Sequence, residues 1–163
     1  MIRLTPIKNH NIGTFALRVE VSEDQQNLGN FNFSQRLAFA YADWATTGKQ
    51  PFVFGIAHGE STPVGVLIIS YATADEDEYV NGDRECYYID VIYIDKNHQG
   101  KGYAKEALKE AIQFIKTYPH GKANSIYADT KPANEAMRKT FVSVGFVETE
   151  DSNEDDVIVR FEL

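Results

Sequence analysis

The sequence predicts one mixed α+β domain, residues 1–163, with helices on both faces of a central, mostly antiparallel sheet. Three observations carry this reading. β-rich segments separated by turn signals fill the first half, a strand–helix–strand–helix succession fills the second, and the clearest helix follows directly on a glycine turn. With 163 residues, 43% of them hydrophobic, the chain can bury one substantial core but is short for two.

Residues 2–8 read as a first strand and 11–19 as a short helix. A polar stretch from Ser22 to Asn30 precedes a second helix, about Phe33 to Ala45. Phe52–Ala57 and Val64–Tyr71 are β-rich and separated by Gly59 to Pro63, the mark of an antiparallel hairpin. The acidic run Asp75-Glu76-Asp77-Glu78 and the pair Asn81-Gly82 then make a second turn into a long strand around 85–95. From Gly102 to Thr117 the apolar residues Tyr103, Ala104, Ala107, Leu108, Ala111, Ile112, Phe114 and Ile115 recur at helical spacing, with Lys105, Glu106, Lys109, Glu110, Gln113 and Lys116 opposite. Pro119 and Gly121 stop that helix. Ser125–Ala128 is a short strand, Asn134 to Val144 a further helix closed by Gly145, and Val157–Phe161 a terminal strand.

Charge narrows the function. A net charge of −8 disfavours nucleic acid as the main partner, because phosphate backbones require clustered Lys and Arg. It favours a cationic substrate, although the acids at 75–78 and at 148–156 also read as solvated loops. Histidines at 10, 58, 98 and 120 have no metal-ligand spacing, so no metal is expected. The lone Cys86 sits in strand-like sequence and reads as a small core residue rather than a nucleophile. No apolar run reaches the ~20 residues that span a bilayer and no leader pattern opens the chain, so a soluble, cytoplasmic protein without membrane attachment is the expectation.

The richest segment runs from Tyr88 to Ala104. Tyr88-Ile89-Asp90-Val91-Ile92-Tyr93-Ile94-Asp95 leads through Lys96-Asn97-His98 into Gln99-Gly100-Lys101-Gly102-Tyr103-Ala104 and the amphipathic helix. A buried strand, a tight glycine turn and a helix N-terminus in succession aim several backbone N–H groups and the positive end of the helix dipole at one spot, which suits a pyrophosphate. Gly100 and Gly102 permit close approach and a positive φ. The turn is no Walker loop, since Gly100-Lys101 is followed by Gly102 rather than Ser or Thr. A dinucleotide-binding turn is also excluded, because Lys105 stands where the third glycine belongs.

Gln99-x-x-Gly102-x-Ala104 instead resembles the Gln/Arg-x-x-Gly-x-Gly/Ala signature of the GNAT superfamily of N-acetyltransferases. Asn134 followed by Phe141 and then Gly145-Phe146 resembles the family's second cofactor motif, Asn…Tyr…Gly-Phe, at matching spacing. Within the family the chain is most similar to bacterial spermine/spermidine acetyltransferases, through the strand at 88–95, the turn His98-Gln99-Gly100-Lys101-Gly102 and the early segment Val21-Ser22-Glu23-Asp24-Gln25. The resemblance implies a GNAT fold in which two neighbouring strands splay apart and acetyl-CoA lies in the gap. Its pantetheine arm would pair with backbone of Ile92 and Ile94 and reach Asn134, whose other reading is a helix N-cap. Its pyrophosphate would fall on the N–H groups of Gln99, Gly100, Lys101, Gly102, Tyr103 and Ala104. A homodimer is compatible with the family.

Acetyl transfer needs a neutral amine, yet a free primary amine has a pKa of about 10.4. Asp90 is the candidate base, because a carboxylate in an apolar strand is costly unless paired; a contact with backbone or Arg84 is the alternative. Asp95 reads as a solvated or capping residue. Departure of the thiolate calls for a proton donor, which the family commonly supplies as a tyrosine where this chain has Phe141. Tyr93, Tyr103 or Tyr127, a water, or unassisted departure would have to serve, with Tyr93 placed in the catalytic set and Phe141 left to contact the cofactor. The expected function is acetyl-CoA-dependent acetylation of a small polycationic amine such as spermidine. Acetylation of an aminoglycoside or protein amine, or a non-catalytic CoA-binding module, are the alternatives.

Overall fold

The computed structural model describes residues 1–15, 18–23, 33–73, 85–152 and 154–163. The acidic run at 75–78, Asn81-Gly82, Arg84 and most of the polar stretch 22–30 lie outside them.

Sequence alternation produces a seven-stranded sheet in the order β1-β2-β3-β4-β5-β7-β6. β1 (Ile2–Pro6), β2 (Phe52–His58), β3 (Thr62–Thr73) and β4 (Glu85–Ile94) form an antiparallel meander. β5 (Ser125–Thr130) joins β4 in parallel, which requires a crossover, and α3 (Tyr103–Ile115) provides it. β7 (Val157–Glu162) pairs antiparallel with β5, and the two-residue β6 (Val147–Glu148), absent from the sequence reading, pairs with β7. The other described α-helices are α1 (Ile12–Phe15), α2 (Phe33–Thr47) and α4 (Glu135–Ser143), and a single 3-10 turn spans Lys96–His98. The helix expected over 11–19 is thus a single turn before residues 16 and 17, which fall outside the description.

Two cores cover the two sheet faces. The larger one packs Ala107, Leu108, Ala111, Ile112 and Ile115 of α3 and Phe141 of α4 against Leu67, Ile69, Tyr87, Ile89 and Ile126. The smaller one packs Phe15 of α1 and Ala40 of α2 against Ala57, Val66, Ile68 and Val91. α3 is well anchored because its apolar stripe is continuous, whereas α2 buries only Ala40 and leaves Phe39, Tyr41 and Trp44 at least 40% exposed. Cys86 is fully buried beside Tyr127 and Ile158, as a core thiol should be.

One defect in the meander positions the site. On β3 the adjacent residues Ile68 and Ile69 face Val91 and Ile89, so Asp90 is the extra residue of a β-bulge on β4. Strand alternation shifts by one there. Tyr87 and Ile89 share the larger core with Ile92 and Ile94, while Val91 and Tyr93 turn to the α1/α2 face. A regular strand would have sent 87, 89, 91 and 93 to one side.

Candidate active site

The ladder between β4 and β5 ends at Ile89↔Ala128, although β4 runs on to Ile94 and β5 to Thr130. Beyond that pair the strands diverge around a cleft of about 740 Å³. Tyr88 to Ile94 form one wall, Asp129 to Lys131 the other, and residues from the start of α3, from α4 and Arg36 of α2 complete the lining. The cleft therefore meets both helical layers of the domain. Pantetheine amides could add along the open edge of β4 as a strand would.

At one end lies the glycine turn. Gly100 and Gly102 have φ of +72° and +77°, and a Cβ on either would meet nothing within 4 Å. Gly102 is the N-cap of α3 and offers no side-chain acceptor, so the first-turn N–H groups face the cleft without a side-chain cap. This is the concavity a diphosphate requires: backbone donors, the helix dipole and no obstructing side chain. Gln99, Gly100, Gly102, Tyr103 and Ala104 all line it. The Lys101 side chain does not; its Nζ donates to the Asn97 carbonyl at 3.1 Å, so any part it takes in the turn is through its backbone. Gln99 Nε2 donates to the Ile94 carbonyl at 3.1 Å, holding the end of β4 against the turn.

Asp95 fixes the entry to that turn. Its carboxylate accepts from the backbone N–H groups of Asn97 at 2.9 Å and Glu20 at 3.0 Å, and from the side chains of Asn97 and His98. Burial raises its pKa, but these donors outweigh burial and hold it below the usual carboxylate range. It is a buried cap rather than a solvated residue. On the opposite wall Asn134 caps α4, its Oδ1 accepting from Met137 N at 3.2 Å, while also lining the cleft. Phe141 lines the cleft from the core side, 1% exposed and packed against Phe146 at a centroid distance of 5.1 Å.

The other end of the cleft surrounds Asp90. Its Oδ1 accepts from the Ser70 hydroxyl at 3.0 Å. Part of the residue reaches the cleft surface, yet Oδ2 itself is fully buried with no hydrogen-bond partner among the described residues. Burial drives its pKa up to about 7; Ser70 and Arg36 oppose the rise, and Asp43 and Asp129 add to it. A carboxyl half-ionised at neutral pH is suited to receive a proton. Tyr93 stands on the same wall with its phenol pKa raised by burial, while Arg36, which hydrogen-bonds it, pulls the value down. A guanidinium can only donate, so this contact leaves the phenol its own proton. Tyr88, by contrast, donates to Asp129 Oδ1 at 2.8 Å. Tyr103 lines the cleft but stacks on His58 at 4.9 Å near the turn. Tyr127 is a correction: it is 2% exposed in the small core with Cys86 and does not line the cleft.

Ser70, Arg36 and Asp129 were missed by the sequence reading. Only Ser70 carried a signal, a hydroxyl inside the apolar run Val64–Tyr71. Among the described residues no cluster of His, Cys, Asp and Glu could hold a metal ion, and no helix is long and apolar enough to cross a membrane.

A sheet splayed beside a glycine-capped helix, with an ionisable acid at the opening, fits the class of enzyme that takes an acyl thioester into its sheet to meet a nucleophile. The model of the acetyltransferase (GNAT) family matches residues 13–146, and the chain belongs to that family. It is an N-acetyltransferase that uses acetyl-CoA as co-substrate. No curated protein is significantly similar in sequence. Among solved structures, the GNAT domain of S. lividans PAT superposes with a TM-score of 0.70 at 18% identity, covering 99% of this chain and 90% of that one. Spermidine N-acetyltransferase from Vibrio cholerae, in complex with CoA and spermine, gives 0.69 at 15% identity over 99% and 95%. The ribosomal-protein-S18-alanine N-acetyltransferase from Escherichia coli gives 0.64 at 16% identity over 99% and 94%. At these identities the likeness is one of fold.

Proposed function

We propose that the protein acetylates a primary amine, with Asp90 as the base and Tyr93 as the acid. The observation that carries the reading is the carboxyl of Asp90 at the splay, whose buried Oδ2 has no hydrogen-bond partner among the described residues. A bound ammonium would give this carboxyl a charged partner, and its proton would pass to the carboxylate, directly or through one water, leaving the neutral amine. Acetyl-CoA supplies the acyl group as a thioester. The amides of Gln99, Gly100, Lys101, Gly102, Tyr103 and Ala104 would hold its pyrophosphate, the backbone of Ile92 and Ile94 its pantetheine arm, and Asn134 and Phe141 would flank that arm. As the thiolate leaves, Tyr93 would return a proton, with Arg36 stabilising the phenolate that remains. This supplies the acid that Phe141 cannot.

For the acceptor we favour a small polycation such as spermidine. Three carboxylates, Asp43, Asp90 and Asp129, act on the acceptor end against one guanidinium from Arg36, and the chain carries a net charge of −8. An aminoglycoside or a protein amine fits the same charge. Dependence on acetyl-CoA, an intracellular metabolite, supports a cytoplasmic setting. Thiol release from acetyl-CoA, measured with spermidine, an aminoglycoside and short peptides, tests the proposal. Turnover confined to spermidine is the expected result. Tight acetyl-CoA binding with no turnover on any amine would favour a CoA-binding module instead, a reading that Phe141 at the usual acid position keeps in view.

A further inference from the structure

Ser70 sits in β3 among fully buried neighbours and pairs with Tyr88 across the ladder, two positions before the bulged residue. The bulge turns Asp90 to the side where Ser70 projects, and the two side chains meet at 3.0 Å. We infer that Ser70 is the positioning residue for Asp90: its hydrogen bond to Oδ1 fixes how the carboxyl is turned and favours its ionised form. This rests on the reading of Asp90 as the base.

The geometry makes the hydroxyl more than filling. A carboxylate on a strand turns freely about its last torsion, whose wells are broad, and one directional hydrogen bond fixes that torsion. A serine hydroxyl beside a carboxylate also favours the ionised form. The other groups acting on Asp90 are Arg36 and Asp43 of α2 and Asp129 of β5; Tyr88 and Tyr93 flank it on β4. Two of the three charges are negative, so Arg36 and Ser70 are the pair that keeps the acid ionisable near neutral pH.

Titration of the carboxyl-labelled protein by carbon-13 NMR, with the Asp90 signal assigned by its loss in Asp90→Asn, tests this without an acceptor. The midpoint should lie near 7 in the natural chain. In Ser70→Ala it should rise by about one pH unit, as loss of one hydrogen bond to a charged group implies, and Ser70→Thr should restore it. Ser70→Cys, close in volume and a weak donor, keeps the test available should the alanine variant fold poorly. An unchanged midpoint in the alanine and cysteine variants overturns the inference. Kinetics separate it from the reading beneath it. If Asp90→Asn is inactive on the amine panel while Ser70→Ala titrates like the natural chain, only the role of Ser70 falls. If Asp90→Asn keeps full turnover, the base falls, and with it any catalytic meaning for Ser70. In an active enzyme Ser70→Ala should lose about fivefold in turnover at pH 7 and recover most of it at pH 9, whereas a purely structural loss would persist at both.

Discussion

The two ends of the cleft are built by different means. The end proposed for the cofactor is made of backbone: a glycine turn, a helix N-terminus and an open strand edge, with Asp95 holding the turn in place through four donors. The end proposed for the acceptor is made of side chains from three distant segments, Arg36 on α2, Ser70 on β3 and Asp129 on β5, gathered around one bulged residue. Backbone recognition tolerates any sequence that folds the turn, whereas side-chain recognition changes with single substitutions. The contrast explains how one fold can keep its co-substrate while its acceptor varies.

Asp90→Asn should break the contrast most sharply. Turnover at neutral pH should fall by about 10²–10⁴-fold, as for loss of a general base, while CoA affinity measured by calorimetry stays unchanged. A parallel loss of both would mean that the two ends are not separable. At the other end, Gly102→Val places a β-branched residue at a φ of +77° and a Cβ at the diphosphate surface. CoA affinity should weaken at least about tenfold, about 1.4 kcal/mol, because the variant's free turn relaxes away from the positive φ and binding has to restore it; unchanged affinity would remove the turn from the proposed cofactor site.

A third effect concerns stability. The carboxyl of Asp90 binds its proton more tightly in the folded protein, where its pKa is about 7, than in the unfolded chain, where it is 3.8. Folding stability from this group therefore declines as pH rises from about 4 to 7 and levels off above, a loss on the order of 3 kcal/mol. Denaturant titrations at pH 5 and 8 should show this decline in the natural chain and its absence in Asp90→Asn; equal slopes would place Asp90 in a more polar setting. The smallest effect is expected from Phe141→Tyr. The ring is buried against Phe146, and Tyr93 is assigned the acid's role, so turnover should change by no more than about threefold. A clear rise would show that the acid's position was vacant.

The same contrast governs what the sequence revealed. Gln99 to Ala104 could be read because a glycine turn is local: the residues that make it are neighbours in the chain. Asn134 is legible as a cap for the same reason, while its place at the cleft follows from the family resemblance. Asp90 stood out as an acid in an apolar strand, but its partner did not, since pairing with Ser70 depends on a register shift between β3 and β4. Arg84, the alternative partner by nearness in the chain, lies outside the described residues. Tyr127 was offered as a donor because the face a strand residue takes in a sheet covered on both sides cannot be read from an apolar run. β6 was missed because two residues carry no periodicity.

Backbone amide NMR during titration with CoA tests the central claim most directly. The account predicts that the largest shift changes fall on the N–H groups of Gly100, Gly102, Tyr103 and Ala104, with smaller ones along Ile92 to Ile94. Saturable binding that leaves those amides unmoved would contradict it.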